Sequence, residues 1–203
     1  MGKPSCWRTI FTSFLILAAT TVAAPAQTFK SLVSFNGTDG VYPMYAPLVQ
    51  GRDRNFYGTT RGAGGNSPGT VFHVTAGGKL TTVAVLGSQP YAGLVLATDG
   101  SFYGTSALGG ANGWGTIFKI NSITRTLTTV YSFCAQTNCS DGVFPLFGLV
   151  QASNGNLYGT TPRAAAVNSQ GTIFELTPAG TFTTLHIFSG ADGAGPSGPL
   201  IQA

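Results

Sequence analysis

Phe56-Tyr57-Gly58-Thr59-Thr60 returns as Phe102-Tyr103-Gly104-Thr105-Ser106 and again as Leu157-Tyr158-Gly159-Thr160-Thr161, at spacings of 46 and 55 residues. A recurrence of this length decides the architecture first, because periods of about 20 to 50 residues mark proteins built by stacking one supersecondary unit. Three more motifs keep step. Gly69-Thr70-Val71-Phe72 recurs as Gly115-Thr116-Ile117-Phe118 and Gly171-Thr172-Ile173-Phe174. Leu80-Thr81-Thr82-Val83 recurs as Leu127-Thr128-Thr129-Val130 and Phe182-Thr183-Thr184-Leu185. Leu48-Val49 recurs as Leu94-Val95, Leu149-Val150 and Leu200-Ile201.

Each motif is short, rich in Thr, β-branched and aromatic residues, and bounded by Gly, Asn, Asp or Pro, the composition of a strand between tight turns. One unit is therefore four strands. Asp99-Gly100 and Asn154-Gly155 separate the first strand from the second and predict two-residue hairpins with positive dihedrals. Arg54 replaces that glycine in the first unit, where a different or looser turn is expected. In the third strand Val71, Ile117 and Ile173 face one side, while Phe72 with Val74, Phe118 with Ile120 and Phe174 with Leu176 face the other. A strand apolar on both sides needs a sheet on each side of it, which radial stacking of four-stranded blades supplies. The predicted fold class is all-β, a β-propeller-like array of about three and a half repeats. A β-solenoid is the alternative, with coils shorter than this period.

Composition agrees. The chain has 203 residues, 29 Gly, 43% hydrophobic and only 8% charged side chains, which favours turns over long helices and excludes coiled coils and helical bundles. The net charge of +4 falls to +2 without Lys3 and Arg8, too small a surplus to imply nucleic acid. Lys3 and Arg8 precede an apolar run from Ile10 to Ala19 and small residues ending Ala24-Pro25-Ala26. This reads as a signal peptide over residues 1–26, too short in its apolar part to span a membrane. The remaining 27–203 form the repeat domain, counted as units of about 30–78, 79–125, 126–180 and a partial 181–203. The protein is expected to be secreted, extracellular or at the cell surface, or periplasmic, with no membrane span after the leader. Cys6 leaves with the leader. Cys134 and Cys139 then pair as a local disulfide in an oxidising compartment. A zinc site would need about four Cys or His donors, and only His73 and His186 accompany that pair, so no metal and no cofactor are expected.

These motifs resemble the GloVer tandem repeats of exported bacterial proteins called choice-of-anchor proteins. Their units read roughly G-L-V-x-A-x-D-G-N-L-Y-G-T-T, a Gly-rich loop, G-T-V-F-x-L, then L-T-T-L-Y-S-F. The likeness covers nearly the whole chain after the leader and is best from Gly148 to Phe188. It is weaker from Pro162 to Gln170, where Ala164-Ala165-Ala166 stands for the usual glycines, and weakest at Arg54. The resemblance implies a propeller-like exported protein whose longer members end in surface-anchoring segments; none is legible here. It implies no activity that could be placed on a residue.

The site candidates are few. Arg61-Gly62-Ala63-Gly64-Gly65 and Leu108-Gly109-Gly110-Ala111-Asn112-Gly113 lie between strands, so they lack the helix N-terminus of a phosphate cradle. His73 and His186 have no nucleophile motif nearby. Asp39, Asp141 and Asp192, each followed by Gly, sit in the connections from fourth to first strand. They are read as turn residues, with the sharper alternative that they line one end of the disc and bind a cation or sugar hydroxyls. The second unit has Gly87-Ser88-Gln89-Pro90 there instead. Tyr57, Tyr103 and Tyr158 are expected to pack between blades as structural residues of the repeat. Trp114, the one Trp beyond the leader, is the better contact candidate. The favoured function is a non-catalytic module that binds a glycan or a surface protein through loops. The alternative is a carbohydrate-active propeller enzyme, a glycosidase or lyase, with acid and base among Asp39, Asp141, Asp192 and Glu175. Three sets of four strands run from Leu48 to Leu86, Leu94 to Phe133 and Leu149 to Phe188. Ser31 to Phe35 resembles the fourth strand of a preceding unit and Pro199 to Gln202 the first strand of a following one. A truncated or partial chain, or self-association through open blade edges, is expected on that count.

Overall fold

The computed structural model describes residues 28–44, 46–62, 68–164 and 170–202; the leader and its cleavage site lie outside them. Residues from Ser31 onward form one compact unit. It contains three four-stranded antiparallel sheets and, among the described residues, no α-helix.

The first sheet joins β1 (Val49–Gln50), β2 (Phe56–Thr60), β3 (Thr70–Val74) and β4 (Leu80–Val85) in that order. The second joins β5 (Val95–Leu96), β6 (Phe102–Ser106), β7 (Thr116–Ile120) and β8 (Leu127–Ser132). The third joins β9 (Val150–Gln151), β10 (Leu157–Thr161), β11 (Thr172–Leu176) and β12 (Phe182–Ile187). These are the four-stranded blades the repeat predicted. The units counted from residue 30 open one strand earlier than the sheets do, since β4 pairs with the β3 before it.

Register is the same in all three. Gly58 lies opposite Phe72, Gly104 opposite Phe118 and Gly159 opposite Phe174. Each phenylalanine ring lies over its glycine, so that a Cβ there would meet the ring at 2.7, 2.5 and 2.5 Å. The glycine of the Tyr-Gly-Thr motif is thus required by the aromatic across the ladder. The outer pair carries a β-bulge at the same place in every sheet, beside Val71, Ile117 and Ile173. It leaves Val83, Val130 and Leu185 as the extra residues on the fourth strand.

The turns into the second strand differ from expectation. Ala97 N–H donates to Ser101 O at 2.9 Å and Gly100 N–H to Ala97 O at 2.9 Å, with φ of 82° at Gly100 and no positive φ at Asp99. This is a three-residue loop closed by a left-handed glycine, not a two-residue hairpin. Gly51 and Asn55 close the first-blade turn in the same way, and Arg54 takes the glycine's place at φ 65°. No looser turn forms there; the flanking ladder holds the arginine in the left-handed region.

Blades stack face to face. Tyr57 and Val71 of blade one pack on Leu94, Phe102, Phe118 and Ile120 of blade two. Tyr103 and Ile117 of blade two pack on Leu149, Leu157, Phe174 and Leu176 of blade three. A threonine hydroxyl crosses each junction, Thr59 to Ala92 O at 2.9 Å and Thr105 to Phe147 O at 3.0 Å. Phe133, fully buried, wedges its ring at 5.3 Å from Phe174, and Phe35 lies 4.9 Å from Phe72.

Candidate functional site

Of the repeated tyrosines, Tyr57 and Tyr103 pack between blades as expected while Tyr158 stands half-buried on the outer face of blade three, and each is tied to its own hairpin turn. Tyr57 donates to Asp53 at 2.7 Å and Tyr103 to Asp99 at 3.0 Å. Tyr158 donates to Glu175 at 2.7 Å and accepts from Asn154 at 2.8 Å. Arg125, from the β7–β8 turn, donates to the Tyr57 hydroxyl and comes within 3.3 Å of His73 Nδ1. Burial, reinforced by Asp53, pushes the Tyr57 hydroxyl up to about 12. Burial and the Arg125 charge push His73 down. In blade two Lys119 bonds Asp99 at 2.9 Å, and that bond holds the ammonium above its usual range. These clusters tie turns to strands.

The connections after the fourth strands use Asp for the same purpose. Asp39 accepts from Asn36 N–H at 2.9 Å. Asp192 accepts from Ser189 N–H at 2.8 Å, from the Ser189 hydroxyl, and bonds His186 Nε2 at 2.8 Å. The Ser189 bonds lead in holding it down to about 2. Asp141 accepts from Tyr131 OH at 2.8 Å and from the N–H groups of Ala135 and Gln136 at 2.9 and 3.3 Å. Its exposure is 0%, which removes it from any ligand surface. Asp39, Asp141 and Asp192 each close a separate loop, and the described residues contain no cluster of three His, Cys, Asp or Glu placed to hold a metal ion. Glu175 serves Asn156 and Tyr158 in blade three.

The Asp141 loop is longer than its sisters by four residues, and Cys134 and Cys139 are joined across the insertion. The pinch lets Asp141 reach the same place in the loop that Asp39 and Asp192 reach in theirs. Gly142 then lies against the bonded Thr161 and Thr172 hydroxyls of blade three, as Gly40 lies against Thr60 and Thr70 of blade one.

The open surface lies elsewhere. The segments entering β1, β5 and β9 converge on a cavity of about 430 Å³ lined by Pro47, Tyr91, Leu94, Leu146, Phe147 and Pro199. A second, of about 370 Å³, adjoins it through Tyr91 and Leu146 and adds Leu108, Phe144, Pro162 and Arg163. Arg61 stacks over the Tyr91 ring at 4.7 Å. Trp114, 40% exposed, packs edge-on to Phe144 at 5.1 Å, and Phe144 N–H donates to Trp114 O. Sequence reading reached Trp114 and missed Tyr91, Phe144 and Arg163, although Phe144 stands in Asp141-Gly142-Val143-Phe144-Pro145, which repeats Asp39-Gly40-Val41-Tyr42-Pro43. That repeat, and the proline before Tyr91 just ahead of the Leu94-Val95 motif, were the available signals.

The fold is thus a stack of propeller-like blades with an apolar, arginine-edged cleft where the first strands converge. The Gloeobacter/Verrucomicrobia repeat matches residues 84–203, more than half of the chain, and the protein belongs to that repeat family. No curated protein matches the sequence. Among solved structures, TolB from Acinetobacter baumannii aligns at TM-score 0.46 and 15% identity over 76% of this chain and 33% of its own. The GH74 enzyme of Niastella koreensis aligns at 0.45 and 22% over 64% and 19%. A protein of unknown function from Dyadobacter fermentans aligns at 0.40 and 12% over 67% and 48%. This chain spans less than half the length of each. No helix among the described residues is long and apolar enough to cross a membrane.

Proposed function

We propose that the protein is an exported, non-catalytic repeat module whose cleft binds an extracellular glycan or protein. The observation that carries this reading is the adjoining pair of cavities edged by Tyr91, Phe144, Arg61 and Arg163, with Trp114 beside them. Aromatic faces and arginines are the side chains that concentrate binding energy at interfaces, and they are held here by rigid sheets. The four carboxylates considered for acid and base chemistry each hold a turn or loop instead, which supports binding over turnover.

A glycan array and a polysaccharide-depolymerisation screen on the same purified protein test both classes. Binding is expected, lost in Tyr91→Ala and weakened in Trp114→Ala. Depolymerisation abolished by replacing Asp39, Asp141, Asp192 or Glu175 would reverse the assignment to a carbohydrate-active enzyme.

A further inference from the structure

The two sealed junctions define what covers a blade, and among the described residues blade three lacks it. Tyr57 and Tyr103 are buried, as are Val71 and Ile117, whereas Tyr158 and Ile173 in the same positions are only half-buried. Val83 and Val130 pack into the junction clusters; Leu185, their counterpart, is 50% exposed. Thr59 and Thr105 donate across their junctions, but the Thr160 hydroxyl is buried without a partner. The outer face of blade three is a junction half made.

Part of the missing layer is already in place. Gln151 of β9 donates to the Thr98 hydroxyl in the turn of blade two at 3.2 Å, and Gln202 donates to Ser153, the matching turn residue of blade three, at 3.1 Å. Pro196 lies on Gly171 as Pro145 lies on Gly115 and Pro90 on Gly69. Pro199 to Gln202 therefore occupies the first-strand slot beyond blade three. Beside it, no strand among the described residues fills the slots that the second and third strands fill at the sealed junctions.

We infer that the outer face of blade three, beside Pro199 to Gln202, is a docking surface for a β-hairpin bearing the repeat's second and third strands. The hairpin adds by strand pairing along the Leu200 segment. Its Leu or Phe at the Phe102 position, Phe at the Phe118 position and Ile or Leu at the Ile120 position lie on Tyr158, Ile173 and Leu185. Continuity with the two sealed junctions fixes both the register and the chemistry. A second copy of this chain fits less well. The incoming copy's Phe35 and Asp39-Gly40 segment already covers its blade one, where the Phe188 to Gly193 loop of the receiving copy would have to sit.

The probe is a labelled peptide of this chain's own β6–β7 hairpin, residues 99–122, titrated into the whole protein with a scrambled peptide as control. Saturable binding is expected, weakened by roughly tenfold or more in Ile173→Glu and unchanged in Arg54→Gly on blade one. Leu185→Ser, at an exposed position, gives the same readout if Ile173→Glu fails to fold. Absence of binding, or binding indifferent to both substitutions, would overturn the inference. So would self-association of the protein that the peptide does not compete, which would make a second copy the occupant.

Discussion

Arg54 holds a conformation that L-residues avoid at about 1–2 kcal/mol, in a turn whose sister positions are Gly100 and Gly155. Its side chain is exposed and makes no bond among the described residues, so Arg54→Gly relieves strain at little cost. Denaturant unfolding is expected to show a gain of about 1 kcal/mol, and Gly100→Arg a loss of similar size. At the same scale, Tyr57 ionises near 10 when unfolded and near 12 when folded. The folded state holds the proton more tightly, so this contribution is complete below about pH 10 and lost as pH rises from 10 through 12. Tyr103 and Tyr131 are raised too, mainly by burial, and act in the same direction. Thermal melts are expected to fall across that window, and the fall should be smaller in Tyr57→Phe. A melting temperature flat to pH 12 would contradict the buried, Asp53-bonded hydroxyl.

At the scale of elements, the loops after the fourth strands fasten one blade to the next. Phe133 is buried where the β8 connection meets Phe174, so Phe133→Ala should cost about 3–5 kcal/mol. Replacing Cys134 and Cys139 by Ser should cost less than the roughly 3 kcal/mol of a 15-residue ring. The four inserted residues then slacken, and hydrogen exchange should quicken at Thr161 and Thr172 while the first blade keeps its protection. Equal loosening in all three blades would contradict the fastening role. The strands, their order and their two apolar faces were legible because period-two patterning and repetition report the same thing. Arg54's turn was not, since sequence shows the missing glycine but not the ladder that holds its replacement in place. The cleft was legible only at Trp114, because the repeated Asp-Gly-Val-Phe-Pro segment marks Phe144 but not the blade stacking that brings it beside Tyr91 and Arg163.

At the scale of the molecule, the three blades of the described residues are fewer than the about four to eight that close a propeller, and in a stacked repeat each face is buried only by its neighbour. Among the described residues two junctions are sealed and the outer face of blade three is open. Ile117 and Ile173 occupy the same position on successive blades, one fully buried and the other half-exposed. Side-by-side equilibrium unfolding of Ile117→Ala and Ile173→Ala, in dilute protein, tests this most directly. A loss of about 2–5 kcal/mol for Ile117→Ala and well under half of that for Ile173→Ala is the predicted result; equal losses would contradict it, showing that the third face is sealed within the chain.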